Sequence, residues 1–308
     1  MSEKWTTDNI PDLTGKVVIV TGANVGLGYE TTKEIARKGA TTIMACRNMD
    51  KAEAAKTSLQ QEIPDAPLHI MQLDLASLQS VRDFAEAFQQ GYERLDLLIN
   101  NAGIMMPPYG TTVDGFEQQL GVNHLGHFAL TGLLLDLLLK TPVARVVNVS
   151  SNAHKTGNIE FTNLMYEGGK GYSAGGAYGR SKLANLLFTY ELQRLFEAHN
   201  ADVIAVAAHP GGSNSDLGRY MVENPVVRFI MPVFQAIMQS AAMGALPTLR
   251  AAVDHSVKGG EYYGPDGFIE LRGYPVIVKS TKASHNREDA KRLWQISEEL
   301  TGVTYPVS

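Results

Sequence analysis

Tyr178 and Lys182 stand four residues apart in the run Tyr178-Gly179-Arg180-Ser181-Lys182. They lie at the start of a stretch, Ala177–Ala198, patterned as a long helix. On a helix this spacing puts both side chains on one face. A phenol titrates near about 10, too high for easy service as a base at neutral pH. A lysine cation beside it favours the phenolate and lowers that value. The pair can therefore give or take a proton near working pH. A bare Y-x-x-x-K also occurs as two unrelated surface residues, so the pair needs company. Polar clusters supply it: Asn100-Asn101-Ala102-Gly103, Asn123 within Val122-Asn123-His124, Ser150-Ser151, and His209-Pro210-Gly211. All but Asn123 follow an apolar strand-like run. Asn123 sits in an apolar helical stretch, where its amide needs a partner, whether structural or chemical.

A second constellation opens the chain. Lys16–Thr21 is a β-branched run, followed by Thr21-Gly22-Ala23-Asn24-Val25-Gly26-Leu27-Gly28. Glycines let backbone turn tightly and approach a ligand closely. A helix beginning here offers free N–H groups and a positive dipole end to a pyrophosphate. The spacing is G-x-x-x-G-x-G, not the commoner dinucleotide G-x-G-x-x-G. The next strand-like run ends in Cys46-Arg47-Asn48. An NAD site places an acid at this point for the ribose 2′-hydroxyl, whereas an arginine accommodates a 2′-phosphate. No acid is present and Arg47 is, so the residues favour NADP(H). Asp74-Leu75 ends a third run, where an adenine edge comes within reach. Asp74 could equally cap the helix that begins near Ser77.

The elements that must hold these groups alternate. The pattern predicts strands over Lys16–Thr21, Thr41–Ala45, Leu68–Leu73, Leu95–Ile99, Arg145–Val149 and Val203–Ala208, with a seventh over Val276–Val278. Helices are expected over Tyr29–Lys38, Met49–Glu62, Leu78–Gln89, Leu120–Leu139 and Ala177–Ala198. Continuous apolar strands suit a parallel sheet buried on both faces. Strict alternation with helices indicates right-handed βαβ units. The expected fold is α/β: one domain over 1–308, a doubly wound Rossmann sheet of about seven strands with helices on both faces. Such sheets bind ligands beyond the carboxyl ends of their strands. The long apolar stretch 212–257 breaks the rhythm after the sixth strand and is expected to cover the site. Its most apolar part spans 220–238.

The totals narrow the class. The chain has 308 residues, one cysteine and a formal net charge of −5. One cysteine allows no internal disulfide. Scattered charge argues against a nucleic-acid partner. No run reaches the roughly 18 apolar residues of a membrane span, and the polar start Met1–Asp12 lacks the apolar core of a signal peptide. A cytoplasmic location is expected, and no cluster of residues suggests a metal.

T-G-A-N-V-G-L-G, N-N-A-G, V-N-H-L-G, V-N-V-S-S, Y-G-R-S-K and H-P-G stand in the order found in the short-chain dehydrogenase/reductase family, which the chain resembles over roughly residues 13–215. C-R after the second strand, S-K-L-A-N around the lysine and the tail Gly260–Gly267 are most similar to the retinol dehydrogenase-like subgroup. The resemblance implies that Tyr178 is the general acid/base and that Lys182 binds the nicotinamide ribose. It implies that Ser151 steadies the substrate oxygen and that Asn123 holds a water in a proton relay to Lys182. Gly22, Asn24, Val25, Gly26, Leu27 and Gly28 would form the pyrophosphate loop. Arg47, Asp74, Leu75, Asn100, Ala102 and Gly103 would serve the adenosine side, and Pro210, Gly211 and Ser215 the nicotinamide. Ser151 lies 27 residues before Tyr178, an interval the subgroup shares; Ser150 remains the other candidate. Ser215 stands where the family often has threonine. Membrane-bound members of the subgroup carry an apolar N-terminal anchor that this chain lacks, which weakens transfer of their retinoid substrate.

The expected activity is hydride transfer between NADP(H) and a small apolar aldehyde, ketone or alcohol. The competing reading is a non-catalytic NADP(H)-binding sensor or scaffold, which loss of Tyr178 or Lys182 would have favoured. Assembly stays open. Leu120–Leu139 and Ala177–Ala198 could meet a second copy across a two-fold axis, as a homodimer or homotetramer, or be covered within a monomer.

Overall fold

A computed structural model of the protein describes residues 4–213 and 238–305. Strand β1 (Val17–Thr21) leads through a glycine turn into α1 (Gly26–Arg37). β2 (Thr41–Cys46), α2 (Met49–Glu62), β3 (Leu68–Gln72), α3 (Leu78–Gly91) and β4 (Leu97–Asn100) follow. Short side-chain oxygens start the helices. Asn48 caps α2 by accepting from Lys51 N at 2.9 Å, and Ser77 caps α3 by accepting from Ser80 N. Such caps satisfy donors that the first helical turn would otherwise leave unpaired.

The expected single helix over Leu120–Leu139 is instead broken into pieces. A short α4 (Gln118–Leu120) passes through one π-type turn, Gly121–Leu125, into α5 (Gly126–Leu133). At Leu134 (φ −97°, ψ 4°) the chain turns again into α6 (Leu135–Lys140). Hydrophobic periodicity cannot report such a break, because the apolar pattern continues through it. β5 (Ala144–Val149), α7 (Ala174–Ala198) and β6 (Val203–Ala208) complete the regular alternation.

Among the described residues the sheet has eight strands in the order β3-β2-β1-β4-β5-β6-β7-β8. β7 (Tyr262–Pro265) is parallel to β6, and β8 (Pro275–Ile277) runs antiparallel to β7. The strand expected at Val276–Val278 is thus the eighth. β7 escaped notice because its sequence, Tyr262-Tyr263-Gly264-Pro265, holds no β-branched run. Side chains of β1 alternate between two cores. Val18 and Val20 pack toward α1, α2 and α8 (Ala241–Val253), whereas Val17 and Ile19 face α3, α5 and α7. That two-sided burial makes the sheet doubly wound, as expected.

Two expectations about the later chain change. Residues 241–253, counted within the expected cover, form α8, whose Ala245, Leu246 and Leu249 are buried in the core. Residues 220–237 lie outside the described residues. The outer faces of α5 and α7 are covered by the chain's own α9 (Arg287–Thr301) and the tail beyond it. Trp294 packs edge-on to Phe128 with centroids 5.2 Å apart, and Tyr305 lies 4.8 Å from the same ring.

Candidate active site

β1 and β4 are neighbours although five elements separate them in sequence, so the strand order reverses between them. A crevice opens at their carboxyl ends, as this topology requires. It is an open cleft of about 730 Å³. Gly22, Asn24, Val25, Gly26, Leu27 and Gly28 line it from one strand end; Arg47 lines it from β2, and Asp74 and Leu75 from β3. Ala102, Gly103, Tyr178, Lys182 and Pro210 line it too.

The glycine turn is shaped for an approaching ligand. Gly22 has φ +66°, and a Cβ there would lie 3.1 Å from Ala102. At Gly28 a Cβ would fall 2.1 Å from the Gly22 carbonyl oxygen, so only glycine lets α1 begin this close to β1. Val25, the cap position of α1, makes no side-chain hydrogen bond to the helix. The first N–H groups of α1 therefore keep their positive end toward the cleft, where a pyrophosphate is favoured. Beneath the loop Cys46 is buried, and burial pushes its thiol up to about 11, opposed by the backbone N–H groups of Ala23 and Asn24. The cysteine thus packs in the core beneath the loop, beside Ala23.

At the adenosine end Arg47 is exposed and makes no ion pair among the described residues, so its guanidinium is available to a phosphate. Lys51, one turn into α2, lines the same end and was not singled out from the sequence. A second cation close to a strand-end arginine was the available signal. Asp74 does not cap α3, since Ser77 does; its carboxylate accepts from Ala76 N at 3.0 Å. Asn100 departs from expectation. Its side chain is buried away from the cleft and donates to Asn148 Oδ1 at 2.8 Å and Thr131 Oγ1 at 3.1 Å. The neighbouring Asn101 lines the cleft instead, with Nδ2 donating to the Thr21 carbonyl at 2.8 Å.

At the other end Ser173 caps α7 and sets Tyr178 and Lys182 over the carboxyl end of β5. Lys182 is buried, and its Nζ donates to the Val149 carbonyl at 3.0 Å. Burial pulls this ammonium down to about 8. Burial also pushes the Tyr178 hydroxyl up to about 12, opposed by a hydrogen bond with Ser151. Burial thus works against the lowering expected from Lys182, whose Nζ sits 5.8 Å from the ring centroid. The two serines separate cleanly. Ser150 Oγ is buried and donates to the Lys182 carbonyl at 2.9 Å, a tie to the helix backbone. Ser151 is the one whose hydroxyl opposes the effect of burial on the phenol.

Asn123 occupies the π-type turn and is fully buried. Its Oδ1 accepts from Ile104 N at 2.8 Å; its Nδ2 donates to Ile104 O at 3.0 Å and to Ser181 Oγ at 2.9 Å. Both side-chain donors are used, so the side chain holds the loop after β4 against α7 and has no donor left for a relay water. A Cβ on Gly103 would lie 3.1 Å from Asn123 Oδ1 and 3.6 Å from Lys182 Nζ, which explains the glycine. Pro210 lines the cleft, and Gly211 beside it adopts φ +65°. Ser215 lies outside the described residues.

Similarity to known proteins agrees with this geometry. The family model described as short chain dehydrogenase matches residues 16–225. Retinol dehydrogenase 11 of Mus musculus is 41% identical over 297 residues, covering 96% of this chain and 89% of that protein. Retinol dehydrogenase 13 of Homo sapiens is 41% identical over 297 residues, covering 95% and 86%. A crystal structure of an uncharacterised protein from Mycobacterium paratuberculosis superimposes with a TM-score of 0.82 at 41% identity, covering 99% of this chain and 100% of that one. A short chain dehydrogenase from Escherichia coli CFT073, solved with NADPH, gives 0.59 at 26% identity, covering 82% and 97%. No helix among the described residues is long and apolar enough to cross a membrane.

Proposed function

The chain belongs to the short-chain dehydrogenase family, in its retinol dehydrogenase-like subgroup, and is therefore an oxidoreductase; from that premise we propose that it moves a hydride between NADP(H) and an apolar alcohol or carbonyl compound. The observation that carries this reading is one continuous cleft, lined by Arg47 where β2 ends and by Tyr178 and Lys182 over β5. The uncapped start of α1 lies between them. When bound, NADPH supplies the hydride.

The protein's own groups supply the rest. Arg47 holds a 2′-phosphate by a charge-assisted pair, and Lys51 adds a second positive charge. In the reductive direction Tyr178 donates its proton to the carbonyl oxygen, and Ser151 fixes the direction of that hydroxyl. Lys182, oriented by the Val149 carbonyl, holds the ribose side and compensates the phenolate that forms. Asn123 keeps Gly103 and α7 in register. Support for an apolar substrate comes from the relatives' retinol dehydrogenase names.

The test follows NADPH absorbance across a panel of aldehydes and ketones. In a straight-chain series kcat/KM should rise with length before levelling, because each buried CH₂ is worth up to about 0.8 kcal/mol. A flat series, with turnover of a small polar sugar instead, overturns the apolar-pocket reading.

A further inference from the structure

Two turns flank the cleft on the side away from the adenosine end: Ser151–Asn152 after β5, and His209–Pro210–Gly211 after β6. A third piece of chain, the tip of the β7–β8 connection at 268–271, lies across both. Asn152 Nδ2 donates to the carbonyl oxygens of Ile269 at 3.3 Å and Glu270 at 3.4 Å. On the other turn, Gly212 N donates to Leu271 O at 2.7 Å. Gly211 is pressed so closely that a Cβ there would lie 2.5 Å from Leu271 O and 2.9 Å from Glu270 O.

The tip is held in an unfavourable conformation. Ile269 (φ 47°) and Glu270 (φ 58°) are consecutive non-glycine residues in the left-handed region. Such residues are strained and persist only where their surroundings impose the conformation. For Ile269, β-branched and 60% exposed, packing gives no return for that cost. The imposing contact is Glu270. His209 is fully buried, and its Nδ1 accepts from Gly211 N at 3.2 Å, which leaves the ring proton on Nε2. Nε2 lies 3.0 Å from Glu270 Oε2, a close contact short of hydrogen-bond geometry, and makes no hydrogen bond among the described residues. Lys155 Nζ, from the segment after Ser151, lies 3.3 Å from the same oxygen. One carboxylate oxygen thus meets a group from each turn.

We propose that Glu270 is a positioning residue that fixes the Ser151 turn relative to the His209–Gly211 turn, and so sets the width of the carbonyl-binding end of the cleft. This rests on the functional reading above. The geometry also explains why glutamate and histidine are found there. A neutral imidazole can accept from Gly211 N while setting its other ring N–H beside a carboxylate, and no aliphatic pair could do both.

The test compares Glu270→Ala, Glu270→Gln and His209→Asn in the full chain, by hydrogen exchange and by kinetics. Asparagine at 209 keeps an acceptor for Gly211 N but cannot reach Glu270. Glu270→Ala and His209→Asn should each speed exchange about tenfold in two separate peptides, 150–157 and 209–213. They should raise KM for the carbonyl roughly tenfold and leave the NADPH Kd within about twofold. Glu270→Gln, which keeps an acceptor for Nε2, should restore most of both. Faster exchange confined to 266–274, or an equal loss of NADPH affinity, overturns the proposal. Exchange needs no turnover. If the wild type reduces no carbonyl compound, the functional reading fails while the exchange result still decides the role of Glu270.

Discussion

The Nε2 of His127 lies 2.9 Å from the hydroxyl oxygen of Thr21, joining α5 to the last residue of β1. The ring's Nδ1 lies 3.1 Å from the Asn123 carbonyl, which can only accept, so the proton is on Nδ1 and Thr21 donates to Nε2. Thr21 Oγ1 in turn accepts from Asn101 N and Ala102 N, each at 2.9 Å. One neutral histidine, held near about 4 by burial, links the glycine loop, the loop after β4 and the π-type turn that carries Asn123.

His127→Phe should therefore act at a distance from the cleft. It removes the ring donor to the Asn123 carbonyl and leaves the Thr21 hydroxyl only the longer 3.4 Å contact to the Ile99 carbonyl, at a cost of about 1–3 kcal/mol for an unsatisfied buried group. Urea denaturation should show a lower midpoint with an unchanged slope, and NADPH should bind more weakly. Unchanged stability and affinity together would show that the link is idle.

Tyr178→Phe removes the hydroxyl while keeping the ring's packing. General acid–base assistance is worth typically about 10²–10⁴-fold, and kcat should fall by that much or more with NADPH affinity retained. Near-wild-type turnover on a confirmed substrate would exclude the phenol as the proton donor.

The same pair sets the pH dependence. In the protein by itself Tyr178 stays protonated up to about 12, as reduction requires, whereas Lys182 loses its proton near about 8. Reductive kcat/KM should be level below about pH 8 and fall above it. Alcohol oxidation needs the phenolate and should rise with pH. Rate profiles in both directions check this, and parallel profiles would contradict it.

Arg47→Ala tests cofactor choice. A charge-assisted pair is worth about 1.5–3 kcal/mol, roughly 10–150-fold in affinity. Titration should show the wild type favouring NADP⁺ over NAD⁺ and the variant losing that preference. Equal wild-type affinities would exclude the 2′-phosphate role.

Asp96 makes a prediction about stability. Burial pushes its carboxyl up, but Arg94, the Val17 N–H and Lys16 outweigh this and hold it below the usual range. A carboxyl lowered on folding contributes stability above its unfolded value of about 3.9. That contribution is lost as pH falls through the folded value. Asp96→Asn should cost about 1–3 kcal/mol at neutral pH and flatten the acid limb of the stability curve. An acid limb identical to wild type would assign acid unfolding to other carboxylates.

Much of this was legible in the residues, for local reasons. Alternating β-branched runs and helical stretches determined the doubly wound sheet, since each pattern buries its apolar face in only one way. The limits Met49–Glu62 and Val203–Ala208 match the structure to the residue. Glycine spacing, Arg47 and the Tyr178/Lys182 interval are properties of a short stretch of chain, and each lines the cleft it was expected to line.

What only the tertiary structure decided are relationships between distant segments. Whether Asn100 or Asn101 faces the cleft depends on which neighbour lies across the sheet, here Asn148. The choice between Ser150 and Ser151 depends on where α7 passes over the end of β5. Whether the phenol's value goes up or down is a balance between burial and a charge at a fixed distance, and sequence specifies neither. The break in Leu120–Leu139 and the tie from Glu270 to His209 were invisible for the same reason. Local periodicity records which residues want to be buried, whereas partners 32 to 61 positions away along the chain are chosen only when the sheet closes.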